Sequence, residues 1–132
     1  MLNQYSRAEL LYGSDNMELL RNCRVAVFGI GGVGGSAVEA LARMGIGTLD
    51  LIDNDRVCLT NLNRQIFATR STIGKYKVDA ARERIADLDP EITVNTWPTF
   101  FLPENAAQFD FRQFDYVVDA IDTVTAKIQI IL

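Results

Sequence analysis

The stretch Phe28-Gly29-Ile30-Gly31-Gly32-Val33-Gly34-Gly35-Ser36 places five glycines within seven positions, directly behind the run Arg24-Val25-Ala26-Val27. An apolar, β-branched run followed at once by glycines and then by an apolar helical pattern reads as a strand, a tight turn and a helix start. The spacing Gly29-x-Gly31-x-x-Gly34 fits the fingerprint in which bare backbone lets a phosphate approach a helix N-terminus, where free N–H groups and the helix dipole hold it. A merely tight turn would need one or two glycines rather than five. The fingerprint alone is weak, so the residues around it decide what it binds.

Working outward, β-like runs cover 24–29, 48–53, 92–97 and 115–121, each rich in Val, Ile or aromatic residues. Between them lie apolar residues at helical spacing. Val33, Ala37, Ala40, Leu41 and Met44 mark one face of a first helix, which Gly45 and Gly47 end. Val78, Ala81, Ile85 and Leu88 mark a second, closed before Pro90. Pro103-Glu104-Asn105 starts a short third, and a fourth begins at Thr123. Strands alternating with helices predict an α/β fold, a doubly wound parallel sheet covered on both faces, in one domain spanning 1–132. The chain stops in Ile128-Gln129-Ile130-Ile131-Leu132, an apolar helix start without a polar tail, where such sheets normally continue. A longer parent domain is therefore expected.

The 132 residues are 48% hydrophobic and 23% charged, an ordinary globular composition that excludes disorder. No apolar run approaches a membrane span, and MLNQYSRAELLYG lacks the basic region and apolar core of a secretory signal, so a cytoplasmic protein is expected. Cys23 and Cys58 have no metal-ligand spacing and the chain has no histidine, which points to two reduced structural thiols and no zinc. A net charge of −4 argues against indiscriminate coating of nucleic acid. The charge is uneven, however. Between Arg64 and Arg84 six bases face two acids, whereas from Ile85 to Asp122 eight acids face only Arg112. Such a band is either a solvated helix face or a place for phosphates.

Asp53 ends the second run 24 positions after Gly29, where a nucleotide-binding fold of this kind places the acid that accepts a ribose hydroxyl. Thr60-Asn61-Leu62-Asn63-Arg64-Gln65 follows, and in a helical turn Asn61, Arg64 and Gln65 share a face. That face offers amide and guanidinium donors to phosphate oxygens, for which a hydride-transfer site has little use. Lys77 adds a cation at the start of the next helix. Asp122 follows the fourth strand, which in the order 3-2-1-4 flanks the switch-point crevice beside the first, so its carboxylate faces the phosphate loop and is placed to hold Mg²⁺ against a triphosphate. Asp119 is expected to orient that turn.

Gly29-Ile30-Gly31-Gly32-Val33-Gly34, Leu51-Ile52-Asp53-Asn54-Asp55, Asn61-x-x-Arg64-Gln65, Lys77 and Asp119-x-x-Asp122 together resemble the Rossmann-like adenylation domain of the ubiquitin-activating-enzyme superfamily, which includes the ThiF- and MoeB-like adenylyltransferases. Within it the wording is most similar to the bacterial tRNA threonylcarbamoyladenosine dehydratases. The stretches that carry this are Arg7-x-x-x-Leu11-Tyr12-Gly13, Arg43-Met44-Gly45-Ile46-Gly47, Thr60-Asn61-x-Asn63-Arg64-Gln65-Ile66 and Phe101-Leu102-Pro103-Glu104-Asn105. The resemblance implies ATP and Mg²⁺ as cofactors and activation of a carboxylate as an acyl-adenylate. In the dehydratases that carboxylate belongs to the threonylcarbamoyl group of a tRNA adenosine, and ring closure then expels AMP.

By the same resemblance Gly29, Gly31, Gly32 and Gly34 line the nucleotide, and Arg64, Lys77 and Asn61, with Gln65 beside them, hold the phosphates. Asp53 takes the ribose, Asp122 the metal, and Asp55 supports the site from nearby. Arg7 matches an arginine that in relatives reaches into the partner subunit's site, which implies a homodimer. Family members continue for roughly as long again, so this chain corresponds to the N-terminal part of such a domain. Three alternatives stand beside it. An activator of a ubiquitin-like sulfur-carrier protein would share the ATP site, and a Rossmann interaction module without chemistry would share the fold but would have lost phosphate residues, none of which is lost here. An NAD-dependent oxidoreductase accounts for the glycines and Asp53 but not for Arg64, Lys77 and Asp122 together.

Overall fold

The computed structural model describes residues 2–122 and 124–132, with the side chain of Val124 outside that description. Four parallel strands, β1 (Arg24–Phe28), β2 (Thr48–Ile52), β3 (Thr93–Trp97) and β4 (Tyr116–Asp119), form one sheet in the order β3-β2-β1-β4. This is the expected order, with β1 joined to β2 through Val27↔Leu51 and to β4 through Val27↔Val118. Each strand is one to three residues shorter than the sequence pattern: β1 and β2 stop one residue early, β3 starts one residue late, and β4 is trimmed at both ends.

Strand alternation divides the core. Val25, Val27, Leu49 and Leu51 point to one face, where α3 (Gly32–Arg43) and α4 (Lys77–Leu88) cover them with Val38, Ala42, Val78 and Ile85. Ala26, Phe28 and Ile52 point to the other, under Phe101 and Phe109. Phe28 meets Phe101 edge to face at 4.8 Å, and such pairs contribute about 0.5–1.5 kcal/mol beyond area burial. That contact fixes the floor directly beneath the glycine turn.

Two expectations need correction, and two helices went unforeseen. The buried stripe of α3 is Gly34, Gly35, Val38 and Ala42, whereas Val33 is 78% exposed and Ala40 is exposed too. Glycines carry no apolar signal, so the sequence pattern locked onto the neighbouring face. The short element at Pro103–Gln108 is a 3-10 helix rather than an α-helix, and another 3-10 turn spans Phe111–Gln113. Two N-terminal helices that the sequence pattern did not reveal, α1 (Ser6–Tyr12) and α2 (Ser14–Arg21), precede the sheet. Thr123, the expected start of the last helix, lies outside the described residues; α5 spans Val124–Ile131.

The N-terminal hairpin is held by Tyr5, which is buried against Gly45 and donates to Asp89 Oδ2 at 2.5 Å. Arg21 donates to the same oxygen at 3.0 Å and stacks over the Tyr5 ring. Burial alone pushes the Asp89 carboxyl up, but the bonds from Tyr5 and Arg21 outweigh it and hold it below its ordinary range. Burial, with Asp89 next to it, raises the Tyr5 phenol. No helix of the described residues is long and apolar enough to cross a membrane.

Candidate functional site

At the carboxyl ends of β1, β2 and β4 the chain opens a crevice of about 460 Å³. Parallel strands all end on this side, and between β1 and β4 the connections leave in opposite directions, which keeps the crevice uncovered. Gly29 has φ +94°, and a Cβ there would meet the Ala120 carbonyl oxygen at 2.6 Å. Gly34 is tighter still, with a Cβ only 1.6 Å from the Gly29 carbonyl oxygen. Glycine at both positions lets the loop fold flat across the strand ends and brings the first turn of α3 against it. Gly31 and Gly32 then face the crevice, whereas Gly34 packs behind the loop and is not among the lining residues.

Asp53 secures the loop from the side. Its Oδ2 accepts from the Ile30 amide and its Oδ1 from the Asp55 amide, both at 2.7 Å. The carboxylate thus pins the glycine turn to the end of β2 while lining the crevice. Asn61 sits in a 3-10 turn (Leu59–Asn61), buried, with its Oδ1 accepting from the Cys58 amide at 3.0 Å. Its own carbonyl accepts from the Gln65 amide at 2.9 Å and from the Arg64 amide at 3.2 Å, the helical bonding that the i, i+3, i+4 spacing requires. Asn61, Arg64 and Gln65 accordingly all line the crevice. The Arg64 guanidinium is held by the Thr60 carbonyl and Asn63 Oδ1.

Lys77 opens α4 with a buried side chain, and its Nζ lies 3.7 Å from Asp55 Oδ2. A buried ammonium facing one carboxylate and an open crevice keeps donor capacity for an anion. Asp122 lines the opposite wall, exposed. Asp119 accepts from the Ile121 amide and from Lys127, which orients the turn that presents Asp122. Arg7 lies on α1, exposed, and is not a lining residue of this chain's crevice.

The sequence reading missed one wall. Ile52, Thr99, Phe100 and Phe101 line the crevice from the β2 end and the turn after β3, an apolar surface suited to a flat base. Ile52 and Phe101 lie within stretches that carry the family resemblance, but their place at the carboxyl end of the sheet was the signal that they form a wall. Cys58, treated as a structural thiol, is exposed, and a hydrogen bond with Thr60 lowers its thiol from the ordinary value. Among the described residues no cluster of three acidic, cysteine or histidine side chains could cage a metal ion.

The chain matches the ThiF family over residues 5–131. It is 48% identical over 130 residues to the tRNA threonylcarbamoyladenosine dehydratase of Bacillus subtilis, covering 98% of this chain and 51% of that protein. It is 35% identical over 131 residues to an adenylyltransferase and sulfurtransferase of Ogataea parapolymorpha, covering 96% of this chain and 33% of that protein. Among solved structures, the Escherichia coli tRNA threonylcarbamoyladenosine dehydratase in complex with ATP superposes with a TM-score of 0.93 at 44% identity, covering 97% of this chain and 53% of that one. The chain spans about half the length of these dehydratases. A match over nearly every residue, joined to the same crevice-forming fold at that identity, means that the chain belongs to the ThiF family.

Proposed function

We propose that this chain is the nucleotide-binding part of an ATP-dependent tRNA threonylcarbamoyladenosine dehydratase acting in the cytoplasm. The observation that carries the reading is the convergence of Asn61, Arg64, Gln65 and Lys77 on one crevice with the glycine loop. Two cations and two amide side chains exceed what a pyrophosphate bridge requires, and they suit a triphosphate.

A carboxylate oxygen of the substrate attacks the α-phosphorus of ATP, and the bond to the pyrophosphate oxygen breaks. No protein nucleophile is needed, since catalysis is alignment plus stabilisation of developing charge. Gly31 and Gly32 let the phosphates reach the α3 N-terminus, Arg64 and Lys77 neutralise the oxygens, and Asp53 takes a ribose hydroxyl beside the amides it already holds. Asp122 would hold magnesium, because one carboxylate with phosphate oxygens and water completes such a site. When bound, the ion supplies further neutralisation of the departing pyrophosphate. Attack from within the threonylcarbamoyl group then closes the ring, and the activated oxygen leaves with AMP.

The test is exchange of labelled pyrophosphate into ATP by the full-length protein, with threonylcarbamoylated tRNA and a sulfur-carrier protein compared as acceptors. Exchange driven by the tRNA supports the reading. Exchange driven only by the carrier protein replaces it with the sulfur-carrier alternative, and calorimetry showing NAD binding without ATP binding removes both.

A further inference from the structure

The basic band divides in two. On α4, Arg82 pairs with Asp79, Arg84 with Glu39, and Lys75 reaches forward to Glu83. Those charges are spent within the protein. Residues 56–76, between β2 and α4, contain no acid at all. This excursion leaves and returns through an antiparallel pair of backbone bonds, Val57 N–H to Lys75 O at 2.8 Å and Gly74 N–H to Val57 O at 2.9 Å. Among the described residues, every basic side chain except Arg7, Arg56, Arg64 and Arg70 lies within 4.0 Å of a carboxylate. Three of these four sit on the one acid-free excursion.

Arg64 is committed to the crevice. Arg56 and Arg70 are not lining residues, yet both are exposed. The Arg56 guanidinium lies over the Tyr76 ring at 4.1 Å and donates to the Gly74 carbonyl at 2.8 Å, so it is held in place with donors to spare. Arg70 makes no hydrogen bond or ion pair among the described residues. Exposed guanidinium groups without carboxylates, on a segment flanked by the crevice residues Asp55 and Lys77, suit a polyanion.

We propose that Arg56 and Arg70 form a docking surface for the phosphate backbone of the RNA, which orients the substrate nucleotide toward the crevice; this rests on the tRNA reading above. The surface is the excursion alone, and the paired charges of α4 do not belong to it.

The experiment measures tRNA affinity of the full-length protein against salt concentration for Arg56→Gln, Arg70→Gln and the double variant. Arg82→Gln combined with Arg112→Gln serves as the charge-matched control, since both of its residues are exposed and internally paired. Each lost phosphate contact is expected to lower the slope of log affinity against log salt by about 0.7–0.9, which is roughly a fivefold to eightfold loss near 0.1 M salt. ATP affinity should not move in any variant, and the control should keep the wild-type slope. Arg70→Gln removes no internal bond, so it tests the surface without loosening the fold. Equal losses in the control, or an unchanged slope in the double variant, overturn the surface and leave the tRNA reading intact. A wild-type protein that binds no tRNA overturns the reading and the surface with it.

Discussion

Gly34 and Gly31 share one motif but answer to different constraints, and substitution separates them. A Cβ at Gly34 would overlap the Gly29 carbonyl, which is backbone and cannot step aside, so Gly34→Ala is expected to abolish soluble folding. At Gly31 the nearest atom is the Gln65 Nε2 at 3.8 Å, so Gly31→Ala should keep the wild-type melting temperature while its methyl group intrudes where phosphate would lie. Thermal melting and ATP calorimetry on the two variants check this, and equal effects on both would refute the division. Arg64→Ala and Asp122→Ala should likewise leave the fold intact, both side chains being exposed. Each is expected to slow pyrophosphate exchange roughly a hundredfold, about 3 kcal/mol of lost transition-state stabilisation. Cys58→Ala should leave turnover unchanged despite its lowered thiol, and if it were the fatal substitution a thioester mechanism would replace adenylate chemistry alone.

Tyr5, Arg21 and Asp89 join the N-terminal hairpin to the end of α4, so protonation at this clasp contributes to the pH dependence of stability. The Asp89 carboxyl is depressed in the fold, and the stability it contributes is present above its ordinary value of 3.8 and lost as pH falls through the folded value. The Tyr5 phenol is raised, so its contribution is complete below 10.0 and lost as pH rises further. Tyr5→Phe removes a buried hydroxyl donor and should cost about 1–3 kcal/mol between these limits, with acid unfolding beginning at higher pH because Asp89 loses a stabilising bond. Denaturant titrations from pH 3 to 8 would show it, and superimposable acid limbs would deny the clasp its role. None of this was visible in the sequence. The strands and α4 were legible because Val25, Val27, Val78 and Ile85 repeat at the periods of their elements. The hairpin was not, since Leu10, Leu11 and Leu19 face outward and blur any amphipathic pattern. The crevice polar residues could be read because Asn61, Arg64 and Gln65 obey helical spacing, whereas Phe100 and Phe101 form a wall only once β3 is placed beside β2.

On the scale of the molecule, and among the described residues, two exposed leucines and an arginine without a carboxylate fall on the same element. Helix α1 exposes Leu10 at 89% and Leu11 at 76%, and beside it Tyr12, Leu19, Leu41, Met44 and Ile46 line an apolar groove. Exposed patches of this kind mark interaction surfaces, and Arg7 stands among them without a carboxylate partner among the described residues. We propose that a second copy covers α1 and that Arg7 enters the partner's crevice, so that each site is built from two chains. Subunit mixing tests this directly. Arg7→Ala and Arg64→Ala should each be inactive alone in pyrophosphate exchange. In a mixed dimer, however, one crevice receives Arg7 from the Arg64→Ala chain and keeps Arg64 from the Arg7→Ala chain, while the other crevice lacks both. Random exchange of an equal mixture makes half of the dimers mixed, with one of two sites intact, so activity should recover to about a quarter of the wild-type value. Recovery of that size requires a site shared between subunits. If the mixture stays inactive although mass measurement shows that the subunits have exchanged, Arg7 acts within its own chain and the exposed face of α1 requires another occupant; if Arg7→Ala alone is fully active, Arg7 has no part in the site.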